Sequence, residues 1–344
     1  MYTNVVTDAT VAPTYAVVGA AERVLDTILS GLWGRGLDIV AELTGISMLG
    51  FPFMQRAYLA AICIALIGPL VGTFLVHREM AMIGDTLAHS AFAGVAAGLF
   101  ANAVLAVTVP PLLVALVVAS VAALLVQVLV DYAGAYRDTS LAIVLTGSFA
   151  IGSVLITATD GGISVGINAY LFGSLATVSR TNAGILLAMT VVVVFAVIIA
   201  YRPLLYVTFD ETGARAAGLD VARYNRLLAV LTAVVVVGAM QIMGVILVAA
   251  MLVIPVATTT AVGGFKRSVV AAVAVGQFAT VAGVTLSYRY DVAAGGTIVL
   301  VAIAAYLAVG MGNRARRRIA DVQRKRTSTE RSTPAVTRGD GEGD

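Results

Sequence analysis

"TLAHSAFAGVAAGLFANAVLAVTVPPLLVALVVASVAALLVQVLV" (residues 86–130) contains no Asp, Glu, Lys or Arg. A bilayer's hydrocarbon layer is crossed by a helix of about 20 apolar residues. This run therefore holds two spans, with a turn near Asn102. Immediately before it stands Asp85, and four residues on comes His89, one of only two histidines in the chain. The placement of a carboxylate and an imidazole at the edge of the longest apolar run is the central question of this sequence.

The rest of the chain has the same character. Of 344 residues, 60% are hydrophobic and 12% charged, with mean hydropathy +0.97. Soluble domains carry about twice that share of charge. Uncharged runs recur at 57–76, 139–159, 181–201, 227–265 (again long enough for two), 268–288 and 292–313. The reading is an all-α polytopic membrane protein of about nine spans, or eight if one long run holds a single helix. One cysteine, Cys63, excludes an internal disulfide or a multi-thiolate metal site.

Net charge is +3, but the basic residues cluster at Arg314, Arg316–Arg318 and Arg324–Arg326, directly after an apolar run. That position suits a cytoplasmic anchor on anionic headgroups, not a nucleic-acid surface. With the N-terminus outside and nine crossings, all 22 basic residues except Arg23, Arg35, Arg56, Arg180 and Arg289 fall inside. The positive-inside rule therefore gives N-out and C-in in the plasma membrane. No secretory signal is expected, since the first residues lack a basic segment.

Three divisions result: an extension at 1–50, a membrane domain at 51–313, and a basic tail at 314–344 expected to be disordered. Within the extension, "AERVLDTILSGLWGRGLDIVAEL" (21–43) sets Leu25, Ile28, Leu29, Leu32, Ile39, Val40 and Leu43 at helical spacing against Arg23, Asp26, Arg35, Asp38 and Glu42. Such a helix can lie in the membrane interface; a poorly ordered extension is the alternative. Gly68-Pro69, Pro110-Pro111 and Pro255 fall inside apolar runs and are expected to break helices. Breaks of this kind line pathways in transporters, although simple kinks are commoner.

Asp85 and His89 share one face of a helix, a turn apart. An acidic residue within a span is expensive unless paired or hydrated, which makes it a functional candidate. Carboxylate oxygen with imidazole nitrogen suits Mn²⁺, Zn²⁺ or Fe²⁺; a hydrogen bond that merely braces helices is the competing explanation. Two ligands are few, and two copies about a symmetry axis would supply four. His77, beside Arg78, reads as interfacial. Between spans, "RPLLYVTFDETGARAAGLDVARYNR" (202–226) carries a capping-box pattern at Thr208–Glu211 and a helix stop at Gly218. A slim helix of roughly two turns is expected between them, with Ala214, Ala216 and Ala217 on its surface.

In order, "FMQRA" (53–57), "GTFLVHREMAMIGDTLAHSAFAGVAAG" (72–98), "YLFGSLATVS" (170–179), "VTFDETGARAAGLDV" (207–221), "MGVILVAAMLVIPVATT" (243–259) and "AAGGTIVL" (293–300) carry a resemblance. The chain resembles the membrane-spanning permease subunits of zinc/manganese-type ABC importers. The resemblance implies an ABC importer permease fold acting as a homodimer, with Asp85 and His89 on the metal path. Asp210, Glu211, Ala214, Ala217 and Gly218 would form the element that couples to two cytoplasmic ATPase subunits. An extracellular binding protein would deliver the metal. The chain has no phosphate-loop motif, so ATP would be hydrolysed only by the partner, and no cofactor is held permanently. A permease for an iron chelate or cobalamin is the near rival. A stand-alone ion-coupled carrier would need more ionisable residues in its spans, and an intramembrane protease lacks its motifs.

Overall fold

The computed structural model describes residues 31–331 except 32, 46, 105–107, 133–135, 159–168, 176 and 177. Among the described residues there are helices and turns and no strand. Helix α1 (Arg35–Thr44) and a 3₁₀ turn (Ser47–Gly50) lead into α2 (Pro52–His77). Then follow α3 (Ile83–Val104), α4 (Pro111–Tyr132), α5 (Arg137–Thr157) and α6 (Arg180–Phe209). The short α7 (Glu211–Ala216), α8 (Val221–Met243), α9 (Val248–Thr258), α10 (Phe265–Tyr290) and α11 (Ala294–Arg331) complete the order. Eight helices (α2 to α6, α8, α10 and α11) are long and apolar enough to cross a membrane.

Local chemistry sets the ends. Pro52 and Pro111 occupy first-turn positions, where the missing N–H costs nothing. The turn expected near Asn102 comes slightly later, after Val104. Asn102 holds it by bonding both the N–H and the C=O of Val109, at 3.0 and 2.9 Å. Ser179 caps α6 through the N–H of Asn182.

The second half of the 227–265 run is not a full-length helix. With 11 residues, α9 is about 16 Å long, half of what a bilayer needs. It nevertheless connects opposite ends of the bundle. Its approach lies beside Gly295, against Met243, and its exit leads to Phe265, which packs on His77 and Phe209. Among the described residues the chain thus traverses the bundle nine times, once with a broken element, and Pro52 and the end of the last span lie at opposite ends. Non-helical backbone at membrane depth must find partners within the protein. Here the N–H groups of Val245 and Ile246 donate to the carbonyls of Tyr170 and Leu171 at 2.9 and 3.4 Å.

Burial separates centre from periphery. In α2 and α8, 78% of the most apolar window is buried, against 22–33% in α4, α5, α10 and α11. The first pair is the core, and the second group lies at the periphery of the single chain. Since lipid is as apolar as leucine, close backbone approach through small residues holds such helices together. On α2, Gly68 and Gly72 receive Met251 and Leu252 of α9, Gly72 lying directly on the Leu252 carbonyl. Gly72→Val is expected to separate α2 from α9 at a cost of at least about 1–3 kcal/mol. A fall in monodisperse yield and melting temperature in detergent, relative to the exposed-site control Gly147→Ala, checks this.

Helix continues through two of the three expected breaks. Pro69 lies within a continuous α2 and Pro255 within a continuous α9, while Pro111 begins α4. Each internal proline strips the N–H from the carbonyl four residues back. In the structure those carbonyls, of Ala65 and Met251, lie against Gly276 of α10 and Gly68 of α2. Neighbouring helices therefore absorb the disruption, and the actual interruption is at Gly244–Leu247.

At the chain's start, α1 docks through Gln55. Its amide donates to Asp38 at 2.7 Å, and its carbonyl accepts from Trp33 Nε1 at 2.8 Å. Ile39, Val40 and Leu43 are exposed, while Leu37 turns inward. Residues 21–30 of that amphipathic segment lie outside the described residues. At the other end α11 continues as helix through Arg331, where the basic tail was expected to be unstructured from residue 314. No Gly or Pro interrupts Arg314–Arg331, so nothing in the sequence stops the helix. Residues 332–344 lie outside the described residues.

Candidate functional site

Asp85 occupies the first turn of α3 and His89 the second. His89 Nε2 is 3.9 Å from Asp85 Oδ1, with the side chains 22% and 37% exposed. That separation is too long for a hydrogen bond, and both groups belong to one helix, so the pair braces nothing. A cation held by both would bring them to about 3.0–3.4 Å, given metal–ligand bonds near 2.1 Å. The adjustment is about 0.5–0.9 Å.

The surroundings position the pair without consuming it. Ser90 Oγ meets Ser148 Oγ at 2.9 Å, and Thr86 Oγ1 reaches the Leu141 carbonyl at 3.4 Å, fixing α3 against α5. Phe149 of α5 sets its ring edge-to-face with His89, centroids 5.3 Å apart, and stacks on Phe92. Buried His89 Nδ1 has no hydrogen-bond partner among the described residues. Resident metal sites usually anchor that second nitrogen on a carboxylate or carbonyl. An imidazole held only by an aromatic wall suits brief contact with a passing ion better than permanent capture. Among the described residues no group of three or more His, Cys, Asp or Glu converges on one point. Asp85 and His89 are the accessible positions of the first two turns of α3, and with Met82 just before the helix they form a strip open to the exterior of the single chain.

The connecting helix is capped differently from the expected pattern. Thr208 belongs to α6, its hydroxyl donating to the Leu204 carbonyl at 2.6 Å. Asp210 is the N-cap, accepting from Gly213 N–H at 2.7 Å. A threonine can satisfy itself on its own helix, whereas the aspartate has only the next helix to cap. The helix has one and a half turns. Gly218 ends it at φ +83°, with bonds Gly218 N–H to Arg215 O and Leu219 N–H to Ala214 O, a Schellman stop at the expected residue. Ala214 is fully buried between Val207 and Val221, while Ala216, Ala217 and Gly218 are exposed. Ala214 therefore anchors the helix to its own protein, and Ala217 and Gly218 lie on the free face.

Sequence reading missed the contacts of Arg78, because their partners lie far along the chain. Its side chain is 6% exposed; Nη2 donates to Asn225 Oδ1 at 2.7 Å and lies 3.6 Å from Glu211 Oε2. Glu211 also meets Arg215 at 2.9 Å. His77 is exposed, as an interfacial residue should be, with Nδ1 donating to the Thr73 carbonyl at 2.7 Å and its ring against Phe209 and Phe265.

Residues 50–313 match the family described as "ABC 3 transport family". The manganese transport system membrane protein MntC of Halalkalibacterium halodurans is 34% identical over 74% of this chain and 85% of the relative. A probable iron transport system membrane protein of Haemophilus influenzae is 32% identical over 75% of this chain and 93% of its own length. The solved structure of PsaBC from Streptococcus pneumoniae in complex with Fab superposes with a TM-score of 0.69. It is 30% identical and covers 78% of this chain and 95% of that one. With its landmarks, its bundle and these relatives in agreement, the chain belongs to the ABC 3 transport family, as a membrane permease subunit served by a separate ATPase and not as an enzyme.

Proposed function

We propose that this chain is the permease of an ATP-driven importer of divalent transition-metal ions. Manganese stands first, and Zn²⁺ and Fe²⁺ are compatible with the same ligands. The observation that carries this reading is the accessible Asp85–His89 pair, 3.9 Å apart and not bonded to itself. Oxygen and nitrogen donors accept all three ions, so the pair selects the class of cargo and not the element. Manganese leads because the 34% relative bears that name; the name of the Haemophilus relative keeps iron next.

In this reading the end that carries α7 faces the cytoplasm, consistent with the distribution of basic residues. A second copy brings its own Asp85 and His89 to complete a four-ligand shell at the dimer axis. A binding protein delivers the ion from outside. The ATPase dimer docks on the exposed face of α7, at Ala217 and Gly218, with Asp210 and Glu211 holding that helix in place. Two ligands per chain form a weak site, as conduction requires, because the ion must leave.

Proteoliposomes containing the chain, its ATPase and its binding protein are expected to accumulate Mn²⁺ only with ATP, measured by metal analysis across a Mn²⁺, Zn²⁺, Fe²⁺ panel. Accumulation driven by an ion gradient without ATP would overturn the assignment, as would ATP-driven uptake of a metal chelate but no free ion.

A further inference from the structure

We infer that Arg78 is the positioning residue through which movement of α7 reaches Asp85 and His89; this rests on the permease reading above. Arg78 caps the end of α2. From there its buried guanidinium joins three elements: the turn between α2 and α3, Glu211 at the start of α7, and Asn225 on α8. A guanidinium keeps its charge wherever it is placed, and here one nitrogen, Nη2, meets both Asn225 and Glu211. Withdrawing one acceptor from a charge at 6% exposure is costly, so the three elements move together. The other ion pair on α7 is different. Arg215 is 71% exposed, and such a pair is screened and weak.

Between Arg78 and Asp85 the backbone has no slack. Glu79 N–H bonds Val76 O at 3.2 Å and Met80 N–H bonds Leu75 O at 2.9 Å, closing α2 with Glu79 in the left-handed region at φ 56°. Ile83 N–H bonds Met80 O at 3.1 Å, Gly84 N–H bonds Ala81 O at 3.3 Å, and Thr86 N–H bonds Met82 O at 3.2 Å. This chain of bonds runs from the cap of α2 into the turn of α3 that carries Asp85. Gly84 in turn lies against Leu252 of the broken traverse α9. A shift of α7 by its partner therefore pulls on Glu211, then on Arg78, and through a stiff turn on the ligand pair. Glu211 is the only acidic residue of α7, which leaves Arg78 one charged partner on that helix.

The test reads metal ions moved per ATP hydrolysed, in proteoliposomes with the ATPase and binding protein, for wild type, Arg78→Gln, Arg78→Lys and Glu211→Gln. Arg78→Gln is expected to lower that ratio about tenfold, the size of the charge-assisted hydrogen bond to Asn225 lost together with the ion pair to Glu211. Its ATP hydrolysis and its KM for Mn²⁺ stay within about twofold of wild type, and Arg78→Lys recovers part of the loss. A ratio equal to wild type in Arg78→Gln overturns the inference, and so does a loss confined to KM. If Arg78→Gln does not assemble, Glu211→Gln decides: a comparable drop in the ratio supports the relay, and an unchanged ratio overturns it. A wild-type complex that moves no metal with ATP would instead count against the permease reading itself.

Discussion

Asp85→Asn is expected to abolish ATP-driven metal uptake, by at least about a hundredfold, while the protein folds and assembles as before. The substitution keeps the shape of the side chain and removes one negative charge. Because Asp85 is 37% exposed and 3.9 Å from His89, the native carboxylate makes no hydrogen bond to the imidazole that the mutation could break. Folding therefore has little to lose. The cost falls on the ion, which gives up part of its water shell on meeting the pair and needs a charged oxygen in return. Even outer-shell changes at metal sites cost 10–100-fold, and in the proposed reading this one would remove a direct ligand. Initial uptake rates for Asp85→Asn and His89→Gln, read beside melting temperature and complex yield, check the expectation. Uptake at wild-type rate by the aspartate variant would remove Asp85 from the path.

Gly244→Val should have the largest effect on folding. Gly244 holds φ at +78° and ψ at 156°, a region essentially confined to glycine, where a residue with a Cβ loses about 1–3 kcal/mol. A Cβ there would also meet the Leu171 carbonyl and the backbone of Phe172 and Gly173. Gly173, at φ +76°, is pressed in the same way onto Ile242. These contacts are backbone on backbone, so no flexible side chain can move aside. They also supply the hydrogen bonds to Val245 and Ile246 that make an interrupted traverse tolerable. Strain and overpacking together reach about 2–6 kcal/mol, a large share of a typical stability of about 5–15 kcal/mol. Loss of monodisperse protein in detergent, with Gly263→Val as a control in open space, is the expected outcome. Wild-type yield and melting behaviour in Gly244→Val would show that the 170–173 and 241–246 segments are not closely joined.

Much of the fold was legible because charge marks the ends of spans. The run 57–76 lies inside Pro52–His77, and the turn read at Gln241–Gly244 is realised at Gly244. The shortness of α9 was hidden for the converse reason: 227–265 carries no charge at all, so no marker shows where helix stops. Prolines misled in the spans because their consequence depends on the neighbour. At Pro69 and Pro255 the freed carbonyls meet glycines on other helices, which no local pattern reveals. At the connecting helix the hydroxyl of Thr208 and the carboxylate of Asp210 are both capping groups, and their backbone positions decided between them. The shared face of Asp85 and His89 followed from spacing alone; their mutual distance and the unpartnered Nδ1 did not. Arg78 and Glu211 are too distant in sequence to be paired without the fold.

Asp210 closes α6 and opens α7 at once, so a single residue stands between a short strut and a 30-residue shaft. No spare length exists there to soak up a push. That shaft is about 45 Å long, and swinging it by about 5° sweeps its far tip through about 4 Å. In the proposed reading the joint would work as a fulcrum, a small displacement at one end of the bundle being magnified at the other.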